Sequence, residues 1–242
     1  PIFEFRQSVE SPFIVKRDVR KIAIVVFASN SSLCGGFNAN VIRHLQETVA
    51  EYAKTIGKEN ILVYPVGRKV ADAVKKMGFA PMGDYQHMSG KPNYQEASGL
   101  AAELINRYLA DEVQEIILLY NHFKSTSSQV LVKEAYLPLD LEAEQKAGAA
   151  QEGRQKQMEA DYIIEPSAER VMQELLPKVL RLKIYTVLLD SAAAEHAART
   201  MAMQIATDNA NDLLQELTLL YNKSRQQAIT NELLDIVGGT MA

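Results

Sequence analysis

The chain has 242 residues, 47% of them apolar, which is enough for one sizeable core with an appendage or for two small domains. Its 26 basic and 30 acidic residues provide no global positive field that would attract nucleic acid or anionic lipid. The single Cys34 excludes an internal disulfide, and no apolar run approaches the roughly 20 residues of a membrane-spanning helix.

Strands alternate with helices through the first part of the chain. Residues 1–20 mix apolar and charged positions without a period and are interpreted as an opening segment. Ile22 to Phe27 is a continuous apolar run, typical of a strand buried on both faces, and a helix is predicted from Phe37 to Ala53. The further predicted elements are a strand over 61–66, a short helix over 67–77, a loop over 82–93, a helix over 94–109, and strands over 115–120, 129–137 and 161–164.

This alternation predicts an α/β fold, a layered Rossmann-like domain with a mostly parallel sheet, over residues 21–166. The strand over 129–137 alternates apolar and polar positions and is expected near an edge of the sheet. Residues 141–160 are rich in Glu, Gln, Lys, Ala and Gly. They are interpreted as a mobile insertion, with an exposed helix as the alternative.

Residues 167–242 are predicted to form a very long helical shaft. Ser167 is the predicted N-cap, and Pro177 is expected to restart or bend the helix. Neither Gly nor Pro occurs between Pro177 and Gly238. A helix from Lys178 to Val237 would be roughly 90 Å long, whereas a globular domain of this size is only roughly 30–40 Å across. Much of the helix is therefore expected to project beyond its own domain.

One apolar line along this helix is predicted to receive a second helix. Its members recur at steps of three and four: Ala202, Ala206, Ala210, Leu213, Leu217, Leu220, Ser224 and Ala228. A second line is predicted to lie against the α/β domain: Val187, Ser191, Ala194, Ala198, Met201 and Ile205. Two alternatives stay open, namely a helix packed back on its own domain and a coiled-coil homodimer that acts as an adaptor.

The end of the helix presents two further surfaces. Near the terminus the apolar positions move to Ile229, Leu233 and Ile236, which indicates a separate apolar environment around the tip. Before the tip, Asn222, Gln226 and Thr230 form a polar strip with Lys223 and Arg225 beside it. Such a strip is usually a solvated face. Its functional interpretation is a docking point for carboxylates of a partner, since Arg binds carboxylates bidentately.

No catalytic, metal or cofactor site is predicted. The glycines of Cys34-Gly35-Gly36 follow a predicted strand and suggest a phosphate loop, but Gly-x-Gly-x-x-Gly and Gly-Lys-Ser/Thr patterns are both missing. The favoured interpretation is a tight turn that needs glycine, and a nucleotide-binding α/β enzyme is the alternative. The four histidines, His44, His87, His122 and His196, show no metal-ligand spacing.

Two stretches of the chain resemble the gamma subunit of the F-type ATP synthase. The first is Ser32-Leu33-Cys34-Gly35-Gly36-Phe37-Asn38. The second lies near the end of the chain and contains Glu195-His196-Ala197-Ala198-Arg199, Ala206-Thr207-Asp208-Asn209-Ala210, Leu220-Tyr221-Asn222-Lys223, Arg225-Gln226 and the residues from Ile229 to Gly239. The predicted strand order agrees with the family, so the resemblance covers essentially the whole chain.

The chain also departs from the family pattern. Ser31-Ser32 stand where the family usually has a basic residue and a glycine, and Thr240 stands where it commonly has alanine. The regulatory cysteine pair of plastid members is missing. The family begins with a long helix that pairs antiparallel with the terminal one, and nothing before Ile22 can supply it. The resemblance therefore implies a fragment that lacks this N-terminal helix and contains half of an antiparallel coiled coil.

The resemblance implies a non-catalytic rotor, the central stalk that couples proton flow to the catalytic sites. The implied partners are the alpha and beta subunits of the surrounding ring, the epsilon subunit, the membrane c-ring and the chain's own N-terminal helix. By motif match, Arg225, Gln226 and Thr230 are expected to contact a beta-subunit loop, and Ile229, Leu233 and Ile236 an apolar bearing. The implied location is peripheral, at the cytoplasmic face of the bacterial inner membrane.

Overall fold

The computed structural model describes residues 11–139 and 167–240. The α/β domain contains the strands β1 (Ile22–Phe27), β2 (Ile61–Val66), β3 (Glu115–Ser125) and β4 (Ser128–Leu137). Their order in the sheet is β2-β1-β3-β4, with β1 parallel to both of its neighbours and β4 antiparallel to β3. The predicted α/β fold with a mostly parallel sheet is confirmed, and so is the edge position of β4.

Five α-helices accompany these strands in the described ranges. They are α1 (Phe37–Ile56), α2 (Arg68–Lys76), α3 (Gln86–Gly90), α4 (Tyr94–Leu109) and α5 (Ala168–Thr240), and a single 3₁₀ turn spans Lys58–Asn60. α4 begins with a side-chain cap, since the Asn93 side chain accepts from the backbone N–H of Gln95.

The helices form one layer on each face of the sheet, which explains why every residue of β1 is buried. Ile22, Ile24 and Val26 pack on one face with Val41 and Leu45 of α1 and with Val70 and Val74 of α2. Ala23, Val25 and Phe27 pack on the other face with Leu100 and Leu104 of α4 and with Leu180 and Ile184 of α5. Alternate side chains of one strand thus supply both cores.

Two local predictions differ from the structure. The predicted loop over 82–93 contains α3, which anchors itself by burying Met88. A helix of five residues is too short to show a helical period in the sequence. β3 continues beyond the predicted end at Tyr120 to Ser125, because backbone pairing with β4 extends the hairpin through residues that are mostly polar and, after Asn121, exposed.

The opening segment is bound to the α/β domain in its described part. Phe13 is buried in the core, and its carbonyl accepts a hydrogen bond from the N–H of Leu139 at 2.7 Å. Arg17 donates to the carbonyl of Tyr108 at 3.0 Å and to the Asp111 carboxylate at 2.9 Å. The predicted insertion over 141–160 and the predicted strand over 161–164 lie outside the described residues.

α5 is one continuous helix of 73 residues, about 110 Å long. The Ser167 hydroxyl accepts from the N–H of Arg170 at 3.3 Å, as predicted for an N-cap. The predicted restart at Pro177 is wrong, because the helix passes through this residue. Proline removes one backbone hydrogen bond, but Leu176 and Leu180 on either side of it pack into the core and hold the helix in place.

α5 runs along the sheet from the amino to the carboxyl ends of the parallel strands. The Leu180 carbonyl accepts from the Tyr136 hydroxyl, Asp190 contacts the later part of β3, and Arg199 contacts the loop after β1. The predicted contact line is confirmed for its first members, since Val187, Ser191 and Ala194 are buried and Ala198 is partly buried. It is wrong for Met201 and Ile205, which are exposed because the helix is leaving the domain there.

Replacing Gly67 by alanine is expected to destabilise the α/β domain by about 3 kcal/mol. Gly67 has φ +113°, and a Cβ at this position would overlap the carbonyl oxygen of Ala28. The measurement is urea unfolding followed by circular dichroism. Gly99→Ala is the matched control, since nothing lies within 4 Å of its added Cβ in helix α4. Equal stability of the two variants would contradict the predicted clash.

Candidate subunit-contact surfaces of the long helix

α5 packs on the loop after β1 at the point where the helix leaves the α/β domain. Cys34 and Phe37 are buried against Ala194, with Ala198 packed beside them. Gly35 has φ +57°, a left-handed conformation that glycine adopts easily. A Cβ built on Gly35 would lie 3.9 Å from the Cβ of Ala202. The turn thus lets the long helix pass close over the loop. This agrees with the interpretation that the glycines of Cys34-Gly35-Gly36 are needed for a tight turn.

Polar contacts also attach this loop to α5. Arg199 pairs with Glu195, one turn earlier, at 2.7 Å and donates to the Ser31 hydroxyl at 2.6 Å. Both charged side chains are mostly shielded from solvent, so the pair is screened less than a surface pair. Asn38 at the start of α1 donates to Ser29 Oγ at 2.8 Å and to the Ser31 carbonyl at 3.0 Å. The two motif regions quoted above therefore meet at one point of the fold.

Beyond Ala202, every residue of α5 from 203 to 239 is exposed. This projecting segment is about 55 Å long. It has no tertiary cover in the described part of the chain, so the alternative of a helix packed back on its own domain is excluded for it. Most helices in proteins are stabilised by packing one face against another structure. This segment is therefore expected to pack against a partner.

The predicted pairing line lies along this projecting segment. Ala202 at its base is partly buried, and the other members are exposed: Ala206, Ala210, Leu213, Leu217, Leu220, Ser224 and Ala228. Leu213, Leu217 and Leu220 are each more than half exposed, at 55%, 56% and 57%. The line changes from small residues near the domain to leucines further out, so a second helix could approach closely at the base and bury apolar area above.

The polar strip lies beyond the leucines. Arg225, Gln226 and Thr230 are all exposed, and the Thr230 hydroxyl donates to the Gln226 carbonyl at 2.8 Å. Within the described ranges, the side-chain nitrogens of Arg225 and Gln226 form no hydrogen bond or ion pair. The guanidinium and the amide are thus free to bind an external acceptor, while Thr230 is tied to its own helix.

The tip residues Ile229, Leu233 and Ile236 are exposed by 48%, 57% and 63%. Leu234 and Val237 are exposed as well, so the apolar surface extends around more of the tip than the predicted three residues. Acidic side chains of Glu232 and Asp235 separate these apolar positions. The tip therefore has a mixed surface with a large apolar share.

The one-line interpretation of the shaft also missed several exposed apolar residues. Leu214, Leu219 and Tyr221 lie off the pairing line, and Leu219 lies on nearly the opposite side of the helix from Leu217. Beside the α/β domain, α5 exposes another apolar set: Val171, Leu175, Val179, Leu182 and Leu189. Apolar residues on more than one face of the helix were the signal in the sequence that could have revealed these surfaces. They indicate that more than one partner covers the helix.

Neither a metal site nor a membrane span is found within the described ranges. No group of three or more His, Cys, Asp or Glu side chains there could hold a metal ion. No helix in residues 11–139 and 167–240 combines the length and the apolar character needed to cross a membrane.

The sequence matches known proteins over nearly its whole length. The sequence model of the ATP synthase family matches residues 2–242. The ATP synthase gamma chain of Phocaeicola vulgatus is 66% identical over 234 residues, which cover 97% of this chain and 78% of that protein. The ATP synthase gamma chain of Bacteroides fragilis is 56% identical over 238 residues, with 97% and 79% covered.

Solved structures of remote relatives share the fold. A chain in the Euglena gracilis mitochondrial ATP synthase structure of OSCP, F1 and c-ring has a TM-score of 0.61 and 22% identity, with 100% of this chain and 86% of that chain covered. A chain in the Tetrahymena thermophila mitochondrial ATP synthase structure of central stalk and c-ring has a TM-score of 0.55 and 20% identity, with 84% and 81% covered.

The family match over residues 2–242 and the high identity to curated gamma chains agree with the resemblance seen in the two motif regions. The α/β domain and its single long terminal helix agree with the solved relatives. The chain belongs to the ATP synthase gamma chain family.

Proposed function

We propose that this chain is the non-catalytic central stalk subunit of an ATP synthase, in which its rotation couples proton flow to ATP synthesis. The observation that carries the proposal is a helical segment over 203–239 in which every residue is exposed, on a folded α/β domain. The exposed apolar residues of such a segment are expected to be covered by another structure. Membership of the gamma chain family supports an ATP synthase as that structure, and we propose that its ring of alpha and beta subunits surrounds the segment.

The pairing line is proposed to receive the family's N-terminal helix in an antiparallel coiled coil. The leucines at 213, 217 and 220 supply buried area, and each contributes about 1.5–3 kcal/mol when fully covered. The exposed apolar set on α5 beside the α/β domain would extend the same contact towards the base of the shaft. Two helices together form a rod that is stiffer than one.

Arg225, Gln226 and Thr230 are proposed to contact a loop of a beta subunit. The exposed guanidinium of Arg225 lies in a short basic band with Lys223, between acidic residues on either side along the helix. A carboxylate-bearing loop would match this band, and hydrogen bonds to charged groups contribute about 1.5–3 kcal/mol each. The charge pattern therefore favours an acidic partner at this height of the shaft.

Ile229, Leu233 and Ile236 are proposed to turn within an apolar bearing formed by the alpha and beta subunits. An apolar contact is non-directional, so it can hold the tip centred without favouring one angle strongly. The α/β domain is proposed to form the foot, in contact with the epsilon subunit and the c-ring. The protein would then lie peripherally at the cytoplasmic face of the bacterial inner membrane.

Coupling follows from the asymmetry of the rod. One side of the projecting helix bears the pairing line, while other sides bear acidic, basic or scattered apolar residues. Each rotation step presents a different side to a given beta subunit. A subunit that contacts the rod more favourably in one conformation is shifted towards that conformation, so rotation changes its nucleotide affinity. The rod itself contributes no group to the reaction.

Reconstitution with alpha and beta subunits tests this function. With an N-terminal helix of the family seated on the pairing line, the chain is expected to form a complex that hydrolyses ATP and rotates a probe attached to the foot. The chain alone is expected to show neither ATP hydrolysis nor nucleotide-dependent thermal stabilisation. A complex that forms without rotation would contradict the rotor, and nucleotide stabilisation of the isolated chain would favour the enzyme alternative.

A further inference from the structure

The interface between α5 and the sheet is largely apolar, with Leu180, Ile184 and Val187 of the helix in the core. Apolar packing opposes separation but sets no direction by itself. The rotational position of the helix against the sheet therefore needs directional contacts. Such contacts lie along one side of α5 and reach residues of β3 and β4.

Asp190 makes the most elaborate of these contacts. One carboxylate oxygen lies 2.6 Å from Nδ1 of His122, and the other accepts from the backbone N–H of Phe123 at 2.9 Å. The carboxylate is mostly shielded, with 23% of the Asp190 side chain exposed. A carboxylate bound by two donors on adjacent residues is held in position and in angle, and its hydrogen bonds are stronger than neutral ones.

Two further contacts lie closer to the amino ends of the strands. Lys183 pairs with Glu134 of β4 at 2.6 Å, and Glu134 also accepts from the Tyr120 hydroxyl at 3.0 Å. The Tyr136 hydroxyl donates to the Leu180 carbonyl at 3.0 Å. With Asp190, these contacts span about three turns of α5, and Asp190 is the one nearest to the projecting segment.

We infer that Asp190, together with His122 and the N–H of Phe123, forms the anchor that transmits torque between the foot and the shaft. The inference rests on the proposed rotor function. Torque about the axis of α5 moves the helix surface sideways across β3, where the apolar contacts resist weakly. The two hydrogen bonds of Asp190 resist this displacement directly, because a sideways movement distorts the length or the angle of both bonds.

The test measures the twist of the foot against the ring in single reconstituted complexes. A probe is attached either to the foot, through Asp72→Cys on α2, or to the shaft, through Thr200→Cys on α5. Both positions are exposed, whereas the native Cys34 is buried and hence poorly reactive. Each probe is followed by video microscopy with the ring immobilised and rotation stopped. The angular variance of a probe is inversely proportional to the stiffness between probe and ring.

Asp190→Ala is expected to raise the angular variance of the foot probe about twofold, because it removes one of the three directional contacts between α5 and the sheet and both hydrogen bonds of that contact. The shaft probe is expected to be unchanged. His122→Ala gives the same direction with a smaller increase, and its half-exposed side chain can be removed without a cavity. Glu51→Ala is the matched control, since it breaks the 2.8 Å pair with Lys133 inside the foot.

Unchanged variance of the foot probe in both variants would overturn the anchor. An equal increase in the angular variance of both probes would also overturn the anchor. It would show that the whole complex is loosened and not only the contact between foot and shaft. Failure of the unmodified chain to rotate at all would instead overturn the proposed function, so the two failures are distinguishable.

Discussion

Replacing Arg225 and Gln226 together by alanine is expected to lower coupled ATP synthesis by roughly tenfold, since the loss of a charge-assisted contact costs about 1.5–3 kcal/mol. Both side chains are exposed and their nitrogens are unpaired within the described ranges, so their removal leaves the α/β domain intact. The measurement is the ratio of ATP synthesis to ATP hydrolysis in proteoliposomes that contain the reconstituted complex.

The matched control replaces Asn211 and Gln215 by alanine. It removes two exposed polar side chains from the same projecting segment but leaves the three proposed contact residues and Lys223 in place. This control is expected to keep a coupling ratio close to that of the unmodified chain. A double variant of Arg225 and Gln226 that couples as well as the control would remove the docking role from the polar strip.

Replacing Ile229, Leu233 and Ile236 together by serine is expected to prevent stable assembly with the alpha and beta subunits. If the three side chains are covered in the complex, their loss removes about 5–9 kcal/mol of apolar stabilisation. In the isolated chain they are exposed already, by 48%, 57% and 63%, so its thermal unfolding should not change. Size-exclusion chromatography of the mixed subunits measures the assembly.

A control for the tip replaces Asn231, Glu232 and Asp235 by serine. These residues share the same two turns of helix and are also exposed, but they carry no large apolar side chain. Assembly should survive in this control. Normal assembly of the apolar triple variant would show that the tip needs no apolar bearing.

The strands and longer helices of the α/β domain were predictable because their signals are local. β1 and β2 have the predicted bounds, and so does α4, since each is a continuous apolar run or a helical period in the local sequence. The helix α3 and the far end of β3 were not predictable. Their existence depends on the burial of Met88 and on pairing with β4, and neither is visible in the local pattern.

The long helix shows the same division. Its length, its pairing line and the polar strip follow from the order of residues alone, because helical geometry converts spacing into faces without reference to the rest of the molecule. The point at which the helix leaves the α/β domain does not follow from the order of residues. Met201 and Ile205 continue the apolar spacing of the contact line, yet they are exposed, since the sheet ends below them.

The amino-acid order was thus sufficient to establish an α/β domain, a helix longer than that domain, and membership of a family through two motif regions. The folded chain was needed to show that these two regions touch, with Arg199 on Ser31 and Ala202 over Gly35. It was also needed to find the hydrogen bonds that His122 and the backbone N–H of Phe123 form with Asp190. These contacts join residues more than 65 positions apart, and such distances carry no periodic signal in a single sequence.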